Sequence, residues 1–206
     1  MSTTLSATRI ADDAFEFAVS DPKEAQALAA HLREAKMADD VVAGLNRVAV
    51  YFDPSATEDI SAWLQTIEYA PRPNDTEARM IEIGVTYGGE VGADLARVCE
   101  MLDLARDDFI GLHTATVHHV DMIGFTPGFS YLSGVPKEWS ISRLGTPRPR
   151  VAAGAVGLSA AYTGIYALPG PGGWPLIGQI DRPLFSADLE DPFLLKPGQQ
   201  VRFRAV

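Results

Sequence analysis

Two short stretches concentrate the residue types that could hold a small molecule. The first is Gly124-Phe125-Thr126-Pro127-Gly128-Phe129-Ser130-Tyr131-Leu132. Glycine lets backbone N–H groups come close to an anionic or amide ligand, and Phe and Tyr add a flat apolar wall with a polar tip. This predicts a substrate-binding loop made by Gly124, Phe125, Pro127, Gly128, Phe129 and Tyr131; the competing reading is a buried loop that closes the core. The second stretch holds Tyr162, Thr163 and Tyr166, also read as substrate contacts, and then Pro171-Gly172-Gly173-Trp174. A phosphate-cradling glycine loop leads into a helix or carries a lysine. Here Pro175 and Leu176 follow, and the next lysine is Lys196. Pro171, Gly172, Gly173 and Trp174 therefore read as a partner interface, with Trp174 as an exposed anchor. The alternative places Trp174 in the core.

Charged and nucleophilic candidates are few. Arg143, Arg148 and Arg150 cluster in an acidic chain. Arg148 stands between two prolines, which hold the backbone extended and aim its fork at a carboxylate or phosphate. His113 is the acid–base candidate, because imidazole titrates near neutral pH; a core hydrogen bond is its competing role. Adjacent His118 and His119 would face opposite sides of a strand, and no metal-ligand spacing is present. Ser130 lies outside the G-x-S-x-G elbow.

Elements that position these residues can be read from periodicity. Phe15, Phe17 and Val19 predict a strand, and Asp21-Pro22-Lys23-Glu24 predicts a capped helix start before Ala25, Leu28, Ala29 and Leu32. Arg47–Phe52 reads as a strand, and Ile60, Trp63, Leu64 and Ile67 as an amphipathic helix. Polar, proline-bearing Ala70–Ala78 is the expected linker. Met80–Thr86 reads as a strand. Leu95, Val98, Cys99 and Leu102 form a helical stripe, with Cys99 a buried small hydrophobe. Asp107 and Asp108 favour a further helix over Phe109–His113. Beyond Val117 short strands and turns dominate, ending in an expected hairpin over Phe193–Phe203 around Lys196-Pro197-Gly198-Gln199. The whole is an α+β chain: an N-terminal α+β domain over 1–78 and a mostly β domain, a barrel or closed sheet, over 79–206.

The net charge of -10 argues against nucleic acid, which needs a basic footprint. A single cysteine fits a reducing compartment, no basic-then-apolar leader is evident, and no apolar run reaches membrane-spanning length. A cytoplasmic protein is expected.

Several motifs in order carry a family resemblance: Ile123–Pro136, Thr146-Pro147-Arg148, Ala153-Gly154-Ala155-Val156-Gly157, Thr163–Tyr166, Pro171–Gly178 and Leu194–Phe203, with Val85–Leu95 and Asn46–Pro54 upstream. Together they resemble the family of the 5-oxoprolinase B subunit, also called allophanate hydrolase subunit 1, which includes a bacterial inhibitor of a sporulation histidine kinase. The resemblance implies a cyclophilin-like β-barrel after the α+β domain. It implies a hydrolase role in a heteromeric complex with a carboxyltransferase-like companion, opening 5-oxoproline to glutamate at the expense of ATP. Two alternatives come with it: the carboxyltransferase half of a urea carboxylase system, with biotin as cofactor, and a kinase-inhibiting binding protein. The chain departs from the family pattern at Ala152, Ala155, Tyr162 and Gly170, where proline, serine, glutamine and serine are usual.

Overall fold

The helix signal at Asp21 produces helix α1 (Pro22–Ala35). The Asp21 carboxylate accepts from the Glu24 N–H at 2.8 Å, while the Glu24 carboxylate accepts from the Ser20 N–H and hydroxyl at 2.7 and 2.6 Å. The Glu24 N–H, a donor that a helix start leaves open, and two donors of Ser20 just before the cap are thus satisfied locally. The computed structural model describes all residues except 1, 2, 5, 57–59, 61, 65, 66 and 70–79. The chain divides into two compact units, Met1–Glu77 and Ala78–Val206.

In the first unit, β1 (Thr3–Thr4) pairs with β6 (Glu68–Tyr69). A four-stranded antiparallel sheet runs in the order β2 (Ala7–Ala11), β3 (Ala14–Ala18), β5 (Arg47–Tyr51), β4 (Asp40–Ala43). Phe15, Phe17, Val48 and Val50 share its buried face with Ala25, Leu28, Ala29 and Leu32 of α1, as two-residue and helical periodicity require. Ile60, Leu64 and Ile67 join this core. Part of the expected helix around them, and the whole expected linker Ala70–Ala78, lie outside the described residues.

The second unit is a closed seven-stranded barrel. Its strands are β7 (Met80–Tyr87), β8 (His118–Ile123), β9 (Ser130–Ser133), β11 (Ala155–Ser159), β12 (Tyr162–Ile165), β14 (Leu176–Ile180) and β15 (Gln200–Ala205). Around the barrel they follow the order β11-β12-β9-β8-β15-β7-β14. A separate two-stranded strap joins β10 (Arg148–Val151) to β13 (Gly170–Gly172). Helix α2 (Leu95–Leu102) buries Leu95, Val98 and Cys99, and α3 (Arg106–Ala115) buries Phe109 and His113. Their apolar faces join Ile83, Val85, Leu132, Val156, Leu158, Ile165, Ile177 and Phe203 in one core.

The α+β expectation with a barrel holds. The expected hairpin over Phe193–Phe203 does not form. Lys196–Gln199 does turn, with the Gln199 N–H donating to the Lys196 carbonyl. Phe193 instead bridges Phe185, and β15 inserts between β7, which it meets in parallel, and β8. A turn signal is local, whereas a closed barrel recruits its last strand by shape and register.

Candidate functional site

Alternation along β12 sorts the candidates onto two sides of the barrel wall. Thr163 and Ile165 point into the core; Tyr162 and Gly164 point out. On the neighbouring strands, Leu132, Val156 and Leu158 point in, and Tyr131, Ala155 and Gly157 point out.

The outward side carries a small core of its own, built from Phe129, Val151, Ala155, Tyr166, Trp174 and Leu176, with Tyr131 and Tyr162 packed against it. Its floor is a glycine pair. Gly157 and Gly164 are register partners on β11 and β12. A Cβ at Gly164 would lie 2.5 Å from Trp174 Cζ3, and one at Gly157 3.0 Å from Trp174 Cβ. Two adjacent absent side chains thus make the seat for one indole. Phe129 is the hub of the rings, edge-on to Tyr131 and Tyr166 at 4.9 Å each, to Phe125 at 5.5 Å and to Trp174 at 5.7 Å. Such edge-to-face contacts fix ring orientation. The strap lies against this layer: a side chain at Gly172 would collide with the Tyr166 hydroxyl.

Charge is arranged around these rings. Arg148 Nη2 donates to the Asp94 carboxylate at 2.9 Å, and Arg148 Nη1 is buried without a partner. Burial raises the Tyr131 and Tyr166 pKa values, while the nearby Arg143 draws both down and Arg148 also draws down Tyr166. Burial, with help from the Asp121 carboxylate, pushes Tyr162 up to about 12. All three phenols are therefore neutral at physiological pH and present O–H groups. Asp121 also accepts from the Ser133 hydroxyl at 2.9 Å. Over this buried layer the surface presents Tyr131, Tyr162 and the exposed Phe125 ring beside two guanidinium groups, suited to a planar polar ring bearing an anion.

The structure brings together Phe129, Tyr131, Tyr162 and Tyr166, with Arg148 on the strap beside them. Gly128 is buried at φ 77°, its Cα hydrogens facing Ala167 and Phe185. Pro127 is exposed and Gly124 half-buried. Phe125 is 63% exposed at φ 73°, a left-handed conformation that costs a bulky residue on the order of 1–2 kcal/mol.

Three expectations are corrected. Trp174 is not an exposed anchor: it is 6% exposed because the glycine pair admits it. Of its neighbours in the expected interface, Pro171 is exposed, Gly172 is buried under Tyr166, and Gly173 is half-buried. His113 is fully buried, away from the outward face. Its Nδ1 meets the Tyr87 hydroxyl at 2.7 Å and its Nε2 meets Thr163 Oγ1 at 3.1 Å. Burial holds its pKa well below the usual histidine range, and His118 pushes it further down. Thr163, expected at the substrate, is the inward partner of that imidazole. Both residues face the core, where they meet each other.

Asp94 was not legible as a site residue. It precedes the apolar stripe of α2 and reads as an ordinary helix cap. Among the described residues no cluster of His, Cys, Asp or Glu is placed to hold a metal ion. The loop after β7 has Gly88 and Gly89 at positive φ and leads to α2, as a phosphate loop would. Yet Asp94 puts a carboxylate at that helix start, and Arg106 Nη2 is engaged by the Tyr87 carbonyl at 3.0 Å. This loop does not fit the phosphates of ATP. No described helix is long and apolar enough to cross a membrane.

Comparison with known proteins gives a family. Residues 6–195 match the model "Carboxyltransferase domain, subdomain C and D". The chain is similar to the 5-oxoprolinase B subunit of Haemophilus influenzae, 36% identical over 188 residues, covering 90% of this chain and 87% of that protein. It resembles the crystal structure of TTHA0988 with a TM-score of 0.79 and 33% identity, covering 94% of this chain but only 40% of that one. The Kluyveromyces lactis urea amidolyase shares the fold, with a TM-score of 0.76 at 16% identity, over 98% of this chain and 15% of that one.

Proposed function

The chain belongs to the family of carboxyltransferase domains with subdomains C and D, and from that premise we propose that it is the B-type component of an ATP-dependent 5-oxoprolinase. In this reading it works in the cytoplasm with a carboxyltransferase-like companion and opens 5-oxoproline to glutamate. The observation that carries the reading is the aromatic face with Arg148 at its edge, in a chain similar to 5-oxoprolinase B subunits.

A lactam is a planar, resonance-stabilised amide and resists attack by water. Tyr131 and Tyr162, backed by the buried Phe129–Trp174 layer, meet its flat ring, and Arg148, aided by Arg143, meets its carboxylate. A neutral phenol donates a hydrogen bond where a phenolate cannot, so Tyr131 orients the amide carbonyl, while Tyr162, whose O–H is given to the Asp121 carboxylate, can accept from the lactam N–H. ATP supplies the activation of the lactam in the assembled enzyme, and its binding is assigned to the companion. Holding the ring by rigid aromatic walls reduces the entropy lost on reaching a reactive geometry.

The test is reconstitution. The complex should release ADP in a 5-oxoproline-dependent manner, and the chain alone should release none. Biotin-dependent carboxylation of urea by the same complex would instead support the carboxyltransferase alternative, for which only the shared fold speaks. Robust turnover by the single chain would overturn the division of labour.

A further inference from the structure

We propose that Asp94 is a positioning residue for ligand recognition, holding one edge of the Arg148 guanidinium so that the other edge is kept for the carboxylate of a small amide bound on the aromatic face. The inference rests on the reading that this face is the ligand site. It adds the group that tells an anionic ligand from a neutral one, and the residue that sets that group.

Asp94 stands where a helix cap would, at the first position before α2, yet its carboxylate makes no hydrogen bond to that helix. A capping aspartate ordinarily accepts from the N–H groups of its own first turn. Here Oδ2 accepts from the Leu176 N–H at 2.6 Å and Oδ1 from Arg148 Nη2 at 2.9 Å, while the Asp94 N–H donates to the Leu176 carbonyl at 2.9 Å. The carboxylate is diverted from its helix to a barrel strand and to the strap.

The bond to arginine is incomplete in a telling way. Arginine and carboxylate commonly join through two parallel N–H···O bonds. Asp94 engages Nη2 alone: both its oxygens lie 2.9 Å from that nitrogen, and Oδ2 also accepts from the Leu176 amide. Nη1 is left buried and unpartnered. Buried donors without acceptors are rare in native proteins, and each calls for an explanation. In this proposal a ligand acceptor supplies one: the Arg148 side chain is 29% exposed, and a small shift of its strand uncovers Nη1. β10 and β13 keep two aligned pairs, Arg148↔Gly172 and Val151↔Gly170, with a register shift between them. Among the described elements beside the rings, the strap carrying Arg148 therefore has the fewest backbone ties. Asp94 already neutralises one unit of positive charge, so a singly charged carboxylate suits the site better than a phosphate dianion.

The experiment titrates the full chain with 5-oxoproline and with 2-pyrrolidinone, the same lactam ring without the carboxylate, by calorimetry. Wild type should prefer 5-oxoproline by at least about tenfold. Arg148→Gln should abolish the preference. Asp94→Asn keeps an acceptor for the Leu176 amide and should lower the preference by roughly fivefold or more at unchanged pyrrolidinone affinity. A general loss of structure would weaken both ligands alike. An unchanged preference in Asp94→Asn, or no preference in wild type, overturns the proposal. If Asp94→Asn does not fold, phenylglyoxal modification of wild-type Arg148, mapped by mass spectrometry, decides. Protection by 5-oxoproline but not by pyrrolidinone supports the proposal, and equal modification refutes it. Carboxylate-selective binding without 5-oxoproline turnover by the complex would sink the proposed reaction and leave this inference standing. Turnover with an unchanged KM in Arg148→Gln would do the reverse.

Discussion

The two sides of β12 treat polar groups in opposite ways. Inward, Thr163, His113 and Tyr87 form a buried set in which both His113 nitrogens are engaged, although Nδ1 of the adjacent His118 is buried without a partner. Outward, Tyr131 and Tyr162 remain half-exposed, Arg148 Nη1 has no partner, and Phe125 is held in a strained, exposed pose. The first arrangement is what stability alone would select. The second leaves costs that folding does not recover. This contrast is why the proposed site is placed on the outer wall, although the interior holds the histidine whose chemistry best suits acid–base catalysis.

The sharpest way to break this contrast is to ask whether the outer layer is a core at all. Trp174→Ala should lower stability by about 3–5 kcal/mol, read as a denaturant midpoint at unchanged slope. A near-native midpoint would mean that the indole contributes nothing to folding, and would revive its expected role as a partner anchor.

Acid probes the inner side next. Burial lowers the His118 pKa from 6.5 to about 4, and His113 moves in the same direction. Both are neutral when folded and take up protons on unfolding. Their contribution is fully present above pH 6.5 and is lost as pH falls toward 4. For His118 alone the loss is roughly 3 kcal/mol. Unfolding free energies measured between pH 7 and 4 should show this slope, and His118→Gln should flatten it. A wild-type profile that is level from pH 6.5 to 4 would contradict the burial of the pair.

Gly164→Ala tests the glycine seat. The new methyl meets Trp174 at 2.5 Å, and overpacking of this kind costs about 1–3 kcal/mol. Loss of stability together with a shifted tryptophan emission is expected; a neutral substitution would show that the seat is loose. The smallest effect has the opposite sign. Phe125→Gly relieves the left-handed strain and should stabilise the chain by roughly 0.5–1 kcal/mol in thermal melts, while weakening ligand or companion binding. A destabilised Phe125→Gly variant would mean that the exposed ring supports the fold.

Much of the first unit was legible because its signals are local. Asp21, Pro22 and Glu24 lie within one turn, and the alternation of Phe15 and Phe17 or Val48 and Val50 needs no distant information. The stripe of α2 and the acidic start of α3 were readable for the same reason. That Phe129, Tyr131, Tyr162 and Tyr166 belong to two glycine-rich segments was also legible, and the structure packs these rings together. What escaped depends on pairs far apart in the chain. Asp94 meets Arg148 across 54 positions. Trp174 is buried because Gly157 and Gly164 happen to be register partners, a fact that neither glycine announces. Thr163 and Tyr162 are neighbours with opposite fates, and only the barrel decides which one faces inward.

The placement of β15 has a consequence for how the chain is made. Gln200–Ala205 runs along Met80–Val85 in parallel and also pairs with β8. During vectorial synthesis β7 and β8 leave the ribosome long before the strand that belongs between them. Until it arrives, each exposes an unpaired edge, the state most open to adventitious strand addition. The barrel thus closes on a late keystone whose pairing of Gln200 with Met80 spans 120 positions, a non-local contact of the kind that slows folding. Before β15 is made, the nascent second unit is accordingly more open to misassembly than the finished barrel.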